Sequence, residues 1–460
     1  MRGMSALWTS ANIATAVGGC ASAMFEAGGV AFDSRELGPG DLFVALKGEA
    51  TDGHRFLDQA FAQGAAGAIV SNACTHPNIH VADTTAALNA LGVASRQRTT
   101  AKIAGVTGSV GKTGTKEALS AALARGKRGN VHKSVKSYNN HTGVPLSLAR
   151  MPADSAFGVF EMGMNHAGEL AALTQLVRPH VAMITAIAPA HIEFFGSEEA
   201  IADAKGEVFQ GLEPGGTAVI PFDSPHRDRL IGHARPYAAN ILTFGRGEGA
   251  DVRTLDEVSV ADGTMLSVSL PEAELSFTLS QPGDHWVSNA LAVLAAVKAL
   301  GGDLAAAGLA LADFGGLPGR GAQHRIPVGD GEALLIDESY NANPTSMAAT
   351  LAVLGKASAK RRIAVLGAMR ELGAASDALH AALADPIAAA GVDLALLVGE
   401  GIEPLAKALE GRVNFAHCPS ADLAREALEN IIASGDAILI KGSNAIGLGQ
   451  IVVSLTGGRS

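Results

Sequence analysis

The chain has 460 residues, with 48% hydrophobic and 17% charged side chains, 55 glycines and a formal net charge of −10. This composition excludes an intrinsically disordered chain, and the length favours about three domains. An acidic balance without a long Lys/Arg run argues against a general nucleic-acid binder. No stretch reaches the roughly 18 consecutive apolar residues of a membrane-spanning helix. Cys20, Cys74 and Cys418 lack metal-ligand spacing, so we expect buried thiols in a cytoplasmic protein.

Residues 1–100 predict a small α/β domain. Ser10 is a candidate N-cap for a short helix that carries Ile13 and Val17 on one face. A second helix-like stretch, FLDQAFAQG, comes just before the strand-like GAIV. The DSRELGPG stretch between these elements is either turn chemistry or part of a binding site, and its residues alone leave both open.

The second predicted domain, residues 101–318, opens on an apolar strand at 103–106 that runs into a glycine-rich turn. The turn differs from the G-x-x-x-x-G-K-[ST] phosphate loop, because Val106 stands where the first glycine belongs. A strand before it and a helix after it favour a phosphate loop over a Gly/Ser turn with an incidental lysine. Lys112 is then expected to meet the β- and γ-phosphates, and the Thr113 hydroxyl to ligate Mg²⁺. The residues of this loop expected to bind the nucleotide are Thr107, Gly108, Ser109, Val110, Gly111, Lys112 and Thr113.

Apolar runs at 157–163, 181–189 and 216–221 continue this domain and predict strands of a mostly parallel sheet. Such near-continuous apolar runs are typical of strands covered on both faces, as in a mononucleotide-binding domain. Residues 251–280 alternate between apolar and polar side chains and contain Asp262-Gly263, which indicates an antiparallel hairpin in the same domain.

Residues 319–460 alternate strands with helices and predict a Rossmann-like, doubly wound sheet. The expected strands are ALLIDES, RRIAVLGAM, LALLVGE and DAILIKGS, and the expected helices include SMAATLAVLGKAS and ADLAREALENIIASG. No G-x-G-x-x-G pattern occurs here, so a dinucleotide role has no support. The predicted fold class is therefore α/β in three domains.

Two polar residues stand where parallel sheets place ligands, at the carboxyl ends of strands. Glu161 ends the run FGVFEMG, and His191 follows VAMITAIAP. Both residue types suit metal ligation and also suit the capping of loops, and the residues alone leave both open. Lys205, in the helix-like EEAIADAKGEVF, is by itself typical of a solvated helix lysine.

The string T-G-S-V-G-K-T, with Thr107 in place of a leading glycine, resembles the Mur ligase and folylpolyglutamate synthetase superfamily of ATP-dependent amide-forming enzymes. The resemblance implies that Glu161 and His191 bind the second of two Mg²⁺ ions, beside a carbamylated Lys205. A lysine kept neutral by burial can take up CO₂ and become an anionic ligand. The other ATP contacts that the resemblance implies are Asn289 for adenine, Arg320 for the phosphates and Asp337 for the ribose.

Further stretches resemble the substrate sites of this family. DSRELGPGDLFVALKGEATDGHRF resembles its nucleotide-sugar domain and implies a UDP site, and YNNHTGVPLSL resembles the segment beside the nucleotide-linked peptide. SYNANPTSM, with VLGAMRELG and LIKGS, resembles the members that add D-alanyl-D-alanine. The substrate-binding residues so implied are Ser34, Arg35, Lys47, Asn139, Asn140, Tyr340, Asn341 and Asn343. Ala368 in VLGAM and Asn444 after KGS depart from the family pattern, and both concern the dipeptide pocket.

The resemblance implies an ATP-dependent ligase that joins D-alanyl-D-alanine to UDP-N-acetylmuramoyl-tripeptide through an acyl phosphate. Such a reaction belongs to peptidoglycan synthesis, and hence to cell wall biogenesis, cell shape, the cell cycle and cell division. The catalytic residues implied are Lys112, Glu161, His191 and Lys205. The alternatives are a diaminopimelate- or lysine-adding ligase of the family, a folylpolyglutamate synthetase-like enzyme and a nucleotide-dependent switch. We expect a cytoplasmic monomer, and the third residue of the tripeptide, lysine or diaminopimelate, stays open.

Overall fold

The computed structural model describes residues 6–48, 51–126, 129–189, 192–260 and 263–458. The elements of the N-terminal domain are β1 Trp8–Thr9, α1 Ser10–Val17, β2 Cys20–Ala21, β3 Glu26–Ala27, β4 Gly29–Ala31, β5 Asp41–Val44, α2 Leu57–Ala62, β6 Gly67–Val70, β7 Asn78–His80 and α3 Thr84–Gln97. Strands β4, β5, β6 and β7 pair in parallel in that order, and β2 adds an antiparallel edge beside β7.

The prediction that Ser10 caps helix α1 is wrong: Ser10 is the first residue of the helix, and its N-cap is Thr9. The Thr9 hydroxyl accepts a hydrogen bond from Asn12 N–H at 3.2 Å, so it, and not Ser10, satisfies a free amide of the first turn. Ile13 is buried, as predicted. The helix ends at Gly18, whose φ of 64° is a left-handed conformation that favours glycine.

Two expectations from composition can be compared with the structure. In the described ranges, no helix is long and apolar enough to cross a bilayer. Cys418 is buried, whereas Cys74 is half-buried and Cys20 is exposed, so the expectation of buried thiols is wrong for Cys20. Cys20 is exposed because it lies on β2, the edge strand of its sheet.

The elements of the central domain are β8 Lys102–Thr107, α4 Lys112–Arg125, β9 Val131–Lys133, α5 Gly143–Ala149, β10 Phe157–Glu161, α6 Glu169–Val177, β11 Val181–Ile184, α7 Ile192–Phe195, α8 Glu198–Gly206, β12 Thr217–Pro221, α9 Arg227–Ala234, β13 Asn240–Gly245, β14 Val252–Val260, β15 Gly263–Leu270, β16 Ala273–Leu279, α10 Asp284–Ala299 and α11 Leu304–Ala312. The strand order is β16-β15-β14-β13-β12-β11-β8-β10-β9. Strands β9 to β13 and β8 pair in parallel, whereas β14, β15 and β16 pair antiparallel.

The apolar runs of the central sheet are buried because helices cover both of its faces. Helices α4, α10 and α11 pack on one face, and α5, α6, α8 and α9 pack on the other. This confirms the parallel strands predicted from continuous apolar sequence, and the antiparallel pairing of β14 with β15 confirms the hairpin. Asp262 of the predicted turn lies outside the described residues.

Strand β11 is shorter than the predicted 181–189, because it ends at Ile184. The chain then leaves the sheet and crosses the loop after β8, where Ala186 O accepts Ser109 N–H at 2.8 Å. The apolar sequence continues through residues 185–189 because this segment is still largely covered, although it is no longer a strand.

The elements of the C-terminal domain are β17 Ala322–Val328, β18 Gly331–Glu338, α12 Pro344–Lys356, β19 Arg361–Gly367, α13 Ser376–Ala381, α14 Ala384–Ala389, β20 Leu394–Val398, α15 Glu403–Leu409, β21 Asn414–Cys418, α16 Ala421–Ile431, β22 Asp436–Lys441 and α17 Gly449–Leu455. Strands β18, β22, β19, β20 and β21 pair in parallel in that order, with β17 antiparallel at the edge. Separate apolar layers lie on the two faces, so the doubly wound prediction is confirmed.

Side-chain contacts fix the N-terminal domain to the central one. The Trp8 indole N–H donates to Ala149 O at 2.8 Å, and Arg98 Nη2 donates to Met151 O at 3.2 Å. Arg150 Nε donates to Val30 O at 2.5 Å. These contacts hold the end of α5, and so the segment that precedes it, against the first domain.

Candidate active site

The loop between β8 and α4 has a backbone that requires glycine. Gly108 has a φ of 151° and Gly111 has a φ of 82°. Residues other than glycine rarely adopt such values. A Cβ on Gly108 would collide with the Thr185 hydroxyl, and a Cβ on Gly111 would come 2.8 Å from Asn289 Oδ1. The missing side chains therefore let the loop pack against β11 and α10.

The polar groups of this loop suit a phosphate. Within the described residues, the N–H groups of residues 110–114 donate no hydrogen bond, as expected at a helix N-terminus. Lys112 Nζ lies over the loop and donates to Gly108 O at 2.6 Å. Burial lowers the pKa of Lys112, Glu161 opposes that shift, and Arg320 adds to it. Free amides, a helix dipole and a lysine that can exchange its carbonyl partners together form an anion site.

A buried carboxylate lies directly behind the loop. Glu161, at the end of β10, is 1% exposed, and its Oε2 accepts the Thr113 hydroxyl at 2.9 Å. Its Oε1 accepts Asn139 Nδ2 at 2.8 Å. Thr113, which is predicted for the metal, and Asn139, which is predicted for the nucleotide-linked peptide, therefore contact the same carboxylate. Hard oxygen donors from Thr113 and Glu161 are the ligands that Mg²⁺ prefers.

An arginine of the C-terminal domain reaches the same place. Arg320 Nη2 donates to Ser137 Oγ at 3.0 Å, and Ser137 Oγ lies 3.3 Å from Thr113 Oγ1. The Thr113 proton goes to Glu161, so the Ser137 hydroxyl donates to Thr113. The Arg320 guanidinium also stacks on Tyr340, 4.1 Å from the ring centroid. Arg320 is thus held beside the phosphate loop by residues of two domains.

Lys205 is buried, with 1% exposure, which contradicts its reading as a solvated helix lysine. Its ammonium makes no hydrogen bond or ion pair within the described part of the chain. Burial, and then the charge of Lys112, lower the pKa of Lys205 well below its ordinary value. His191, the predicted partner, lies outside the described residues. Among the residues that are described, no three His, Cys, Asp or Glu side chains are grouped to hold a metal.

A narrow cleft separates the central domain from the C-terminal domain, and Asn289, which is 8% exposed beside Gly111, does not line it. The cleft is lined by residues that include Gln281, His285, Trp286 and Glu338. Gln281 Oε1 and His285 Nδ1 are buried without a partner in the described residues. Burial lowers the pKa of His285 to about 4, so this imidazole is neutral near pH 7. The cleft has a volume of about 10 Å³, which is room for about one water molecule to meet these polar atoms and too little for a nucleobase in this conformation.

Comparison with known families agrees with this geometry. Residues 26–111 match the model for the Mur ligase family catalytic domain, residues 106–297 match the Mur ligase middle domain, and residues 324–444 match the Mur ligase glutamate ligase domain. A curated relative from Escherichia coli strain K12, UDP-N-acetylmuramoyl-tripeptide–D-alanyl-D-alanine ligase, is 36% identical over 93% of each chain. This chain belongs to the Mur ligase family.

Solved structures of Mur ligases share the whole fold. MurF from Acinetobacter baumannii superposes with a TM-score of 0.85 at 31% identity, over 98% of this chain and 99% of that one. MurF ligase from Thermotoga maritima in complex with ADP gives a TM-score of 0.78 at 27% identity, over 94% of this chain and 97% of that one. The predicted three-domain fold is therefore confirmed.

The residues predicted for UDP in this Mur ligase lie in the first domain, away from the phosphate loop. The Ser34 hydroxyl is buried and lies 3.3 Å from Gln59 Oε1. Arg35 pairs with Asp33 but keeps 83% of its side chain exposed, and Lys47 is exposed. Arg35 and Lys47 thus lie at the surface, Arg35 as the partner of Asp33, whereas Ser34 is part of the turn.

Other predicted residues make local hydrogen bonds. Asp337, 4% exposed, accepts Gly319 N–H at 2.6 Å and the Ser339 hydroxyl at 2.6 Å. The Asn343 side chain caps α12 by accepting Ser346 N–H at 2.9 Å. Side-chain oxygens of two more predicted residues accept backbone N–H groups, Gly143 for Asn140 and Ala342 for Asn341. In this conformation these side chains hold turns beside the site.

The two departures from the family pattern lie in different settings. Ala368 is buried at the end of β19, and its N–H donates to Val398 O at 3.1 Å. Asn444 is exposed, and its carbonyl accepts Gly447 N–H at 3.0 Å. Ala368 therefore affects packing at the carboxyl ends of the strands in the C-terminal domain. Asn444 presents its side chain to solvent.

Several residues of this Mur ligase site are not predicted by the sequence patterns. Ser137, which joins Thr113 to Arg320, stands just before the quoted YNN. Glu338 and Lys441 end the neighbouring strands β18 and β22, with Lys441 Nζ 3.5 Å from Glu338 Oε2. Burial raises the pKa of Glu338 and lowers the pKa of Lys441. The strand-end rule that selected Glu161 would also have selected this pair.

Proposed function

We propose that this chain is an ATP-dependent ligase that adds D-alanyl-D-alanine to UDP-N-acetylmuramoyl-tripeptide. The observation that supports it most is the junction at Ser137, where the phosphate-loop residue Thr113 meets Arg320 of the C-terminal domain. Because that junction joins the nucleotide loop to the domain that carries SYNANPTSM, it suits a reaction between ATP and substrates held on both sides. The ligase activity for which the Escherichia coli relative is named supports the choice of substrates.

The proposed chemistry has two stages. The terminal carboxylate of the tripeptide attacks the γ-phosphate of ATP, which forms an acyl phosphate and releases ADP. The amine of D-alanyl-D-alanine then attacks the acyl carbon, and inorganic phosphate leaves. Lys112, Arg320 and the free loop amides offset the repulsion between the two anions that must meet. Alignment of the substrates in a closed cleft contributes an effective molarity of ~10⁵ M or more.

Magnesium completes the proposed site. Two Mg²⁺ ions would supply Lewis-acid stabilisation of the phosphoryl oxygens. The donor set fits, because Thr113 Oγ1 and Glu161 Oε2 lie 2.9 Å apart in a buried position. We assign Glu161, His191 and a carbamylated Lys205 to the second ion. The depressed pKa of Lys205 supports this assignment, because only the neutral amine takes up CO₂.

The three domains would divide the substrates among them. We propose that residues 1–100 bind the UDP-sugar, residues 101–318 bind ATP and residues 319–460 bind the dipeptide. The contacts proposed for them are Ser34, Arg35 and Lys47 for UDP, Asn139 and Asn140 for the peptide, Asn289 and Asp337 for adenosine, and Tyr340, Asn341 and Asn343 for the dipeptide. For the ribose, Asp337 must exchange one of its present partners, Gly319 N–H or the Ser339 hydroxyl. A cytoplasmic monomer stays our prediction.

The test is phosphate release by the purified chain with ATP and Mg²⁺, with each substrate omitted in turn. We expect release only when both the UDP-linked tripeptide and D-alanyl-D-alanine are present, with both the lysine and diaminopimelate forms of the tripeptide assayed. Release with free amino acids in place of the dipeptide would favour another ligase of the family. Phosphate release when either substrate is omitted, or no release when both are present, would contradict the proposed function.

A further inference from the structure

The segment 134–140, here called the strap, touches all three domains. It runs from the end of β9 towards α5 and passes over the N-terminal turns of α4. On one side Tyr138 donates its hydroxyl proton to Glu36 Oε1 of the first domain at 2.8 Å, and the Lys136 ammonium pairs with the same carboxylate. On the other side Ser137 accepts Arg320, and Asn139 donates to Glu161. The strap therefore connects the first domain to the phosphate loop, the buried carboxylate and the third domain.

Lys116 of α4 fastens this strap from below. It is 0% exposed, and its ammonium donates to Ser134 O at 2.9 Å and to Lys136 O at 2.7 Å. The ammonium also forms an ion pair with Glu117, whose Oε1 lies 2.9 Å away, and Glu161 Oε2 lies 3.9 Å away. Two of its three donors therefore go to strap carbonyls. Burial of a charge is costly unless it is fully paired, so the strap carbonyls are part of what keeps Lys116 there.

The strap needs such an anchor because its backbone is strained. Lys136 has a φ of 51°, a left-handed conformation that side chains other than glycine and asparagine rarely adopt. The carbonyl of that same residue accepts the shorter of the two Lys116 bonds. The next residue, Ser137, is the one that reaches Thr113 and Arg320. The strained turn thus directs Ser137 towards the site, and Lys116 holds the turn.

We propose that Lys116 is a positioning residue for ligation, which holds the strap so that Ser137 and Asn139 stay on Thr113 and Glu161. Lys116 acts through the two strap carbonyls and, more weakly, through its 3.9 Å ion pair with Glu161. The inference rests on the proposed function, because the reaction that the strap serves is the proposed ligation. It assigns to Lys116 a role distinct from that of Lys112, which lies one helical turn earlier and over the loop.

The test is Lys116→Met, which keeps the length of the side chain and removes its charge and donors. We expect kcat to fall about tenfold or more, while KM for D-alanyl-D-alanine stays within about twofold. In the free protein we expect the amides of residues 134–140 to exchange with solvent about tenfold faster than in the unchanged chain, without a matching increase in the β8 amides. The split between kcat and KM distinguishes positioning from a general loss of folded protein.

Lys133→Met is the matched control, because Lys133 also pairs with Glu117 but touches neither strap carbonyl. It should leave kcat and strap exchange within about twofold of the unchanged chain, as for an exposed pair. Normal kcat or normal strap exchange in Lys116→Met would overturn the proposal. If Lys116→Met does not fold, the test is made on the unchanged chain. ADP with Mg²⁺ is then expected to slow hydrogen exchange of the strap amides, and an unchanged exchange rate would overturn the proposal. An inactive unchanged chain would instead refute the proposed function.

Discussion

At the scale of single residues, two buried lysines of the central domain have opposite surroundings. Lys116 donates to two carbonyls and forms an ion pair with Glu117. Lys205 is equally buried, but no partner of its ammonium lies in the described residues, and Lys112 adds a repelling charge. The surroundings of Lys205 therefore lower its pKa and favour a neutral amine, which CO₂ can convert into a carbamate anion.

Lys205→Ala should therefore lose activity by removal of an anionic ligand. We expect kcat to fall about 100-fold or more, equal to about 2.7 kcal/mol of transition-state stabilisation. Because a carbamate is a carboxylate on a side chain, short carboxylic acids such as formate should restore part of the rate. In the unchanged chain, removal of CO₂ should lower the rate more at low pH than at high pH. Protonation of the Lys205 amine at low pH prevents its reaction with CO₂. Steady-state rates with and without formate and bicarbonate measure both effects.

Lys407→Ala, on an exposed face of α15, is the control and should behave like the unchanged chain in every one of these assays. A Lys205→Ala enzyme that is inactive and does not respond to any carboxylic acid would leave the carbamate without support. A mass increase of one carboxyl group on the intact Lys205 peptide would provide direct evidence.

At the scale of elements, the phosphate loop keeps its shape because β11 braces it. The Thr185 hydroxyl, just past the end of β11, lies 2.5 Å from Val110 O and 3.2 Å from Thr107 O. Ser109 Oγ donates to Ala188 O at 2.9 Å on the same crossing segment. The loop therefore has little freedom to move away from an added side chain, and it is preorganised for a ligand.

Gly108→Ala should weaken nucleotide binding, because its Cβ would collide with Thr185 and push the loop out of shape. We expect the Kd for ADP with Mg²⁺ to rise about tenfold or more, equal to about 1.4 kcal/mol, as measured by calorimetric titration. Gly126→Ala, at the other end of α4, is the control: Gly126 has helical backbone angles, and the nearest atom to its Cβ would lie 3.4 Å away. Equal ADP affinity in both variants would show that the loop tolerates a side chain at position 108.

Regular elements could be predicted from sequence because burial on both faces leaves continuous apolar runs, as in β10 and β22. The limits of elements were less accurate where an apolar segment serves a loop, as at residues 185–189. Contacts between distant residues gave no local signal. Arg320 and Ser137 are 183 positions apart, and nothing in either neighbourhood shows that they meet. Asn343, which is predicted to bind substrate, also caps α12, as its position before Pro344 indicates.

At the scale of the whole molecule, polar side chains link the C-terminal domain to the central domain. Arg320 donates to Ser137, and the Lys356 ammonium lies 3.6 Å from Asp284. Interfaces between domains of one chain commonly allow relative motion. Arg320 differs from Lys356 because it lies next to the nucleotide loop. It is thus the contact through which a bound triphosphate would draw the domains together.

Arg320→Ala should separate nucleotide binding from domain closure. Without the guanidinium, we expect KM for ATP to rise about tenfold, because one charge-assisted contact to phosphate is lost. Binding of the UDP-linked tripeptide, which is proposed for the first domain, should not change. Small-angle scattering should show that ADP with Mg²⁺ compacts the unchanged chain but not the variant. Arg325→Ala removes an exposed arginine of the adjoining strand β17 and should retain both compaction and KM. If Arg320→Ala compacts as much as the unchanged chain, contacts other than those of Arg320 must drive closure. In the described residues, Arg320 has no further contact that crosses to the loop.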